Sequence, residues 1–296
     1  MKFKYLIIAF CVIMAIIVFV TVLMPAMISG PGYAASLRYI TLPLLLLMSL
    51  LLLGVSIFFF LNYRLLSLLE REDWPALAYY LEQKIYVKKQ YTSRYVRLLA
   101  SSYLVISDFQ SVLKLESKAI LVKPSVVDKN VLIFGSARIL SGNYEDANAF
   151  FKSYLVKTKG KEKQWVRWFY GFSNLLGGLF SQAEPEFSSL AVSSDDALVT
   201  GLSAYFLHSS LVKRSIKPDS CAQIAQNGKD RVLKAMKNPE HWKKETEKMG
   251  SEIHIAIVRK YIDETGKWIF GAGAAASPDK QEPQISVSSK NIDNQE

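Results

Sequence analysis

The side chains of this sequence that could do chemistry are few and widely spaced. The three histidines are His208, His241 and His254, and no two of them have the HExxH spacing that holds zinc beside a general base. Glu252 and His254 could act as a carboxylate and imidazole pair, but a helix surface explains them more simply. The sequence has neither a phosphate-binding GxxxxGK[ST] loop nor a GxSxG nucleophile turn. It therefore predicts a protein that is not an enzyme and that holds no metal or cofactor.

Two cysteines and one lysine-rich segment complete the chemical inventory. Cys11 lies in an apolar run and Cys221 lies far along the chain, so a disulfide between them is not expected. Cys221 lies near a helix start and could be reactive, although a structural thiol is the simpler interpretation. Lysines alternate through residues 157–163, a pattern that suits nucleic acid, anionic lipid or solvent. A solvated loop is favoured, because no aromatic side chain interleaves with these lysines.

Two long apolar runs, Tyr5–Ile28 and Tyr39–Leu61, occupy the start of the chain. A run of about 24 residues can cross a hydrocarbon layer of ~30 Å. A cleavable signal peptide is the alternative for the first run, but its apolar region is usually only about 7–15 residues long. The connector Ser29–Arg38 contains Gly30-Pro31-Gly32, which favours a turn. We expect an antiparallel hairpin of transmembrane helices at about 5–28 and 39–61.

Lysine and arginine residues near the two runs predict their orientation. The formal net charge is +10. Lys2 and Lys4 precede the first run, five basic residues follow the second within residues 64–89, and Arg38 alone lies between the runs. Basic residues are retained on the cytoplasmic side of a membrane. The sequence thus predicts a two-pass protein of the cell (inner) membrane with both termini in the cytoplasm.

Small, turn and aromatic residues recur about every 35 residues after the second run. Residues at matching positions of three successive segments are Ala100, Ser107, Phe109, Val112, Ala119 and Pro124; then Gly135, Gly142, Tyr144, Ala147 and Phe151; then Gly171, Gly178, Phe180, Ala183 and Phe187. Small residues let two helices approach, the glycine permits a tight turn, and the aromatics fill the gap to the next pair. The pattern resembles the tetratricopeptide repeat family over about residues 58–200, with repeats starting near Phe58, Ser93, Asp128 and Gln164.

This resemblance implies an all-α fold, with a two-helix transmembrane hairpin followed by a tetratricopeptide-like α-solenoid of helix-turn-helix repeats. The expected domains are the hairpin at 1–61, the helical repeats at 62–270, and a disordered tail at 271–296 with almost no large apolar residue. Because no flexible linker follows residue 61, the second membrane helix should continue into the first repeat. Further helices are expected at 197–213, 221–236 and 239–261.

The resemblance also implies a binding groove lined by the first helix of each repeat. The family's ligand-facing positions correspond to Arg94, Arg97, Ser101, Lys129, Leu132, Ser136, Trp165, Trp168 and Phe172. Such a groove changes from basic to aromatic along its length, which suits an extended peptide or a helix with acidic and apolar anchors. In the alternative arrangement, Trp165 and Phe172 pack against the distal helices or the tail.

These expectations together favour a membrane-anchored scaffold or adaptor that recruits or organises protein or peptide partners at the cytoplasmic face. Its other partner is the lipid bilayer, and no nucleic acid is expected. The alternative is a structural subunit of a membrane or envelope assembly or secretion complex. Two membrane helices, a Gly32-Tyr33 connector and helical repeats are similar in order to the HemY N-terminal family, over about the first sixty residues. That similarity implies a link to haem metabolism.

Overall fold

Helices account for nearly all of the ordered backbone in the computed structural model, which describes residues 10, 12–13, 16–17, 19–20, 24–250 and 252–271. No strand occurs in these residues, so the predicted all-α class is confirmed. The α-helices are α1 (Met24–Glu70), α2 (Trp74–Glu82), α3 (Ser93–Val105), α4 (Phe109–Val122), α5 (Pro124–Asp128), α6 (Val131–Leu140), α7 (Tyr144–Tyr154), α8 (Gly160–Leu176), α9 (Phe180–Ser193), α10 (Ala197–Phe206), α11 (Pro218–Met236), α12 (Pro239–Met249) and α13 (Ile253–Phe270).

Helix α1 is much longer than the sequence predicts. It has 47 residues and includes the whole of the connector, residues 29–38, so the turn expected at Gly30-Pro31-Gly32 is absent. A helix satisfies the backbone groups of an apolar segment internally, and Pro31 removes only one of the donors. The local turn signal is therefore outweighed. Half of the first apolar run, Tyr5–Ile28, lies outside the described residues.

The later part of α1, before Leu65, carries an apolar surface that no described residue covers. An 18-residue stretch within Leu46–Glu70 has a mean hydropathy of 2.2 and none of it is buried, whereas Leu65 beyond it is 1% exposed. Phe60, for example, is 84% exposed. Within the described part of the chain, this is the one helix whose length and composition would let it cross a membrane.

The chain divides into two compact units, one ending at Tyr80 and the other beginning at Leu81. The sequence placed the domain boundary at residue 61 instead. In the second unit, which we call the helical unit, neighbouring helices pack in pairs, α3 with α4, α6 with α7, α8 with α9, and α10 with α11.

Helix starts and turns in the helical unit follow local side-chain chemistry. The side chain of Thr92 accepts a hydrogen bond from the Tyr95 amide at the start of α3, and Asp108 and Asn143 do the same for α4 and α7. Such caps satisfy amides that have no partner within the helix. Gly142 has a φ of +77° between α6 and α7, a conformation that glycine adopts without strain.

Close approach of α6 and α7 requires glycine at position 135. A Cβ atom built there would lie 2.0 Å from Cζ of Phe151. Phe151 itself is fully buried, so its ring has no open space to move into. The spacing of small and aromatic residues in the sequence thus has a direct packing cause.

The distal helices differ from the predicted ones. In the helix expected at 197–213, α-helical geometry stops at Phe206. The chain then forms a π-helical turn, Leu207–Leu211, and a 3-10 turn, Val212–Arg214. The helix expected at 239–261 is two helices, because the chain leaves helical geometry after Met249 and turns extended at Glu252. The second of them, α13, packs against α6, α10, α11 and α12. The predicted tail lies outside the described residues from 272 onward.

Candidate functional site

The nine residues of the predicted groove fall into three classes of exposure. Those exposed to solvent are Arg94, Arg97 and Lys129. Those half-buried are Ser101 and Leu132. Those buried are Ser136, Trp165, Trp168 and Phe172. The basic end of the groove is thus accessible, whereas its aromatic end is not.

The aromatic residues of α8 form the centre of a ring cluster. Trp168 and Phe172 are both fully buried, and their rings stack with centroids 5.0 Å apart. Helix α13 closes the cluster, because Tyr261 contacts Phe172 at 5.7 Å and His254 contacts Trp165 at 5.1 Å between ring centroids. The distal helices therefore fill this end of the groove. Trp168 and Phe172 are interior side chains, whereas Trp165 is 3% exposed and borders a cleft. Burying large aromatic surface inside the protein in this way is strongly favourable.

Arg97 links the accessible end to the covered end. Its Nε donates to Oδ1 of Asn130 at 3.3 Å, and its Nη1 lies 3.6 Å from Oε1 of Glu252. Asn130 is buried and donates to Ser93 Oγ at 3.1 Å and to the Val126 carbonyl at 2.7 Å. The side chain of Asn130 thereby holds the starts of α3 and α6 together, and Arg97 continues this network toward α13.

A cleft of about 600 Å³ opens beside these residues. Its walls come from α6, α8, the start of α10, the end of α11, α12 and the start of α13, and include Leu132, Glu162, Trp165, Asp196, Met249 and His254. A second recess of about 50 Å³ lies next to it and is lined by Arg97, Lys129, Glu162, Glu252 and His254. Its polar lining of both charges can hold a charged group or ordered water.

His254 is the most unusual side chain of this cleft. It is 5% exposed, and its Nε2 has no hydrogen-bond partner within the described residues. Burial, followed by the positive charge of Arg97, lowers the pKa of His254 to about 3. The imidazole is therefore neutral at physiological pH. It can donate or accept a hydrogen bond, but it cannot form an ion pair. The sequence did not reveal this, because nothing local distinguishes a buried histidine from a surface one.

Carboxylates near the cleft are held in different ways. Trp165 Nε1 donates to Oδ2 of Asp196 at 3.2 Å, and the other oxygen of Asp196 accepts from the amides of Leu198 and Val199 at the start of α10. Partial burial raises the pKa of Glu162, while the charge of Arg97 opposes that shift. Asp196 is thus a structural cap, and Glu162 is a carboxylate of the cleft lining whose pKa is raised.

Among the described residues, the structure supports neither a reactive thiol at Cys221 nor a metal site. Cys221 is buried, and burial, followed by the charge of Glu184, raises the pKa of its thiol to about 11. A thiol with a raised pKa is unreactive at neutral pH. Among residues 24–250 and 252–271, no group of three or more histidine, cysteine, aspartate and glutamate side chains is placed to hold a metal ion.

Fold and surface together define an all-α protein in which one helix is apolar enough to cross a membrane. The chain belongs to the family described as "Uncharacterised Treponema protein", which matches residues 111–271. It is also similar to an uncharacterized protein of Treponema pallidum (strain Nichols), with 28% identity over 234 residues that cover 76% of this chain and 74% of that protein. No solved structure matches the chain.

The family match corrects both resemblances inferred from the sequence. The chain matches this Treponema family and neither the tetratricopeptide repeat family nor the HemY N-terminal family, so both assignments are wrong. The physical reason is that small residues, turn glycines and aromatics at regular spacing satisfy any pair of closely packed antiparallel helices. Gly135 against Phe151 shows that requirement without indicating ancestry.

Proposed function

We propose that this protein is a non-enzymatic scaffold of the cell (inner) membrane whose helical unit binds protein partners at the cytoplasmic face. The observation that carries the proposal is the uncovered apolar surface of α1 from Leu46 onward. Burying such a surface in lipid is strongly favourable, and leaving it in water is not. Beyond it the chain builds a helical unit in which successive helices pack in pairs.

The helical unit is proposed to be an α-solenoid. Each helix pair also contacts the next, since α4 packs on α6, α7 on α8, and α9 on α10. Stacked pairs of this kind offer long surfaces for partners. In this proposal, α13 ends the usable groove by occupying its aromatic part.

The membrane anchor is proposed to cross twice, with both termini in the cytoplasm. A continuous helix of 47 residues would be roughly 70 Å long, more than twice the ~30 Å hydrocarbon layer. Residues Gly30-Pro31-Gly32 and Arg38 lie where such a helix would leave the bilayer. We therefore propose that α1 breaks there in a membrane and that the run Tyr5–Ile28 forms the other crossing.

Partners are proposed to bind at the accessible end of the groove. Arg94 and Lys129 are exposed there, and Arg97 and the half-buried Leu132 lie beside the cleft. Two cations next to an apolar wall suit an acidic peptide with one apolar anchor. No enzymatic step, cofactor or nucleic acid is part of the proposal.

Topology is tested by cysteine labelling of a Cys11→Ser chain in spheroplasts with a membrane-impermeant maleimide. One variant carries Ile216→Cys, which probes the helical unit, and another carries Tyr33→Cys, which probes the connector. We expect position 33 to label in intact spheroplasts and position 216 only after permeabilisation. Labelling of position 216 in intact spheroplasts would overturn the cytoplasmic location, and protection of position 33 would overturn the second crossing.

Partner binding is tested by crosslinking and affinity capture with the double variant Arg94→Glu, Lys129→Glu. The matched control is Lys234→Glu, an exposed lysine on α11. We expect the double variant to lose partners that the control retains, because reversed charge repels an acidic segment. Partners that survive the double variant would favour the alternative, in which the anchor itself contacts other membrane proteins as a subunit of a membrane or envelope complex.

A further inference from the structure

One edge of the helical unit is defined by the way its helices alternate. Short turns join α3 to α4 and α6 to α7, and such connections make the paired helices antiparallel. The C-terminal ends of α4 and α7 therefore lie at the same edge, opposite the turns. The π-helical turn Gln83–Val87 lies there too, since Nζ of Lys118 on α4 is 4.2 Å from the ring centroid of Tyr86. We name residues 84–89, 118–123 and 156–159 the basic edge.

Large apolar side chains project from the basic edge into solvent. Val87 is 67% exposed, Leu121 is 86% exposed and Val156 is 89% exposed. At the opposite edge, the turn residues Ile106 and Leu179 are 40% and 45% exposed, and Ile216, beside the start of α9, is singly exposed at 94%. Single exposed apolar residues are ordinary on protein surfaces. Three of them at successive helix ends along one edge indicate a surface that contacts a non-aqueous environment.

Lysines surround these apolar side chains. Within the described part of the chain, Lys88, Lys89 and Lys123 form no ion pair. The carboxylate that lies nearby, Asp128, faces the hydroxyl of Tyr154. The turns at the opposite edge carry the carboxylates Asp108, Glu145 and Asp146 instead. The opposite edge carries charges of both signs, because Arg138 pairs with Asp146 there and Arg214 lies over the ring of Phe180 at the start of α9.

Exposed apolar side chains beside lysines distinguish between the classes of partner that a basic surface could bind. Nucleic acid is bound by cations with aromatic rings open for stacking, but Lys118 lies over Tyr86 and Nζ of Lys157 lies 4.7 Å from the ring centroid of Tyr154. Aliphatic side chains flanked by long lysines are typical of proteins that rest at a bilayer interface. Anionic head groups attract such lysines, and the acyl region accepts the apolar tips.

We propose that the basic edge binds the surface of an anionic phospholipid bilayer, with Val87, Leu121 and Val156 entering the interface. This inference rests on the proposed membrane anchor, which brings the helical unit close to lipid. It adds a second contact with the membrane, one that depends on lipid charge and on ionic strength. The groove residues Arg94 and Lys129 are not part of it.

The test uses the full-length chain reconstituted in phosphatidylcholine vesicles with and without phosphatidylglycerol. An environment-sensitive nitrobenzoxadiazole label is attached at Leu121→Cys or at Gln110→Cys, in a Cys11→Ser background where Cys221 is buried. Gln110 is the matched control, because it is exposed on the same helix α4 at its opposite end. We expect phosphatidylglycerol to shift the emission of position 121 to the blue and to raise its quenching by a lipid-attached nitroxide at least about twofold.

The response should be lost in high salt and in the triple variant Lys88→Gln, Lys89→Gln, Lys123→Gln. An aqueous label at position 121 in both lipids, an equal response at position 110, or a response to added RNA in place of lipid would overturn the proposal. Flotation of the vesicles after alkaline extraction reports separately on the anchor. A chain that floats while position 121 stays aqueous refutes the basic edge alone, and a chain that is extracted refutes the anchor.

Discussion

Helix α1 from Leu46 onward and helix α8 are both rich in large apolar side chains, yet these meet opposite surroundings. Phe60 on α1 is 84% exposed, whereas Trp168 and Phe172 on α8 are fully buried. The cover of α8 comes from its own chain, including Tyr261 and His254 on α13. None of the apolar 18-residue stretch within Leu46–Glu70 is buried among the described residues. Composition alone thus does not decide whether an apolar helix is core or anchor, because the presence of a covering element decides it.

The comparison predicts a large difference between alanine substitutions in the two helices. We expect Trp168→Ala to lower the free energy of unfolding by about 3–5 kcal/mol, because it leaves a cavity among buried rings. Phe60→Ala should change it by less than about 0.5 kcal/mol, since no protein contact is lost there. Denaturant unfolding of the full chain in detergent micelles measures both. Equal effects would break the distinction between the two helices.

Glycine substitutions sharpen the same distinction at the backbone. We expect Gly135→Ala to destabilise the protein by about 1–3 kcal/mol, because the new methyl group would collide with the buried ring of Phe151. Nothing lies within 4 Å of a Cβ atom built at Gly54 on α1, so Gly54→Ala should be neutral or slightly stabilising. Thermal unfolding followed by circular dichroism tests the pair. A neutral Gly135→Ala variant would refute the close packing of α6 and α7.

The covered groove should make stability sensitive to acid through His254. The pKa of this side chain is lowered to about 3 in the folded protein, whereas an unfolded chain binds the proton near pH 6.5. Protonation therefore favours unfolding, and stability should fall by about 1.4 kcal/mol per pH unit as the pH drops below 6.5. We expect His254→Phe to flatten this dependence between pH 6.5 and 5, above the range where most carboxylates titrate. Unchanged slopes in the variant would place His254 in contact with solvent.

The smallest effect is expected at the mouth of the groove. Arg97 and Glu252 are partly exposed and their charged atoms are 3.6 Å apart, so Arg97→Gln should cost only about 0.2–1 kcal/mol. Lys237→Gln, at an exposed position beyond α11, is the control. A loss of unfolding free energy above about 2 kcal/mol would show that Arg97 is essential to the fold. Its side chain would then be unsuited to leave Glu252 for a partner protein.

Much of the helical unit could be predicted because its determinants are local. The predicted repeat start at Ser93 coincides with the start of α3, and those at Asp128 and Gln164 lie within four residues of α6 and α8. Gly142, with its positive φ, marks an observed turn. At Phe58, where the sequence predicts that the second membrane helix continues into the first repeat, α1 runs without a break to Glu70 and α2 begins at Trp74.

The candidate site could not be predicted because its determinants are distant in sequence. Trp165 and His254 are in contact although they are far apart in sequence. Helical periodicity predicts that a helix face is apolar, but it does not predict which element covers that face. The break after Met249, which lets α13 return over α6, has only the weak helix formers Gly250 and Ser251 as its local signal. The sequence therefore left two arrangements for the aromatic end of the groove, open or packed against the distal helices, and the structure has the second.

The most direct test of this account is lipid photolabelling of the two apolar helices in the same sample. The full-length chain is placed in vesicles that contain a phospholipid with a diazirine in its acyl chain, illuminated, and mapped by peptide mass spectrometry. The account predicts modification within residues 46–61 and none within α8, Gly160–Leu176, because the apolar side chains of α1 face lipid and those of α8 are interior. Modified α8 peptides together with unmodified residues 46–61 would contradict it.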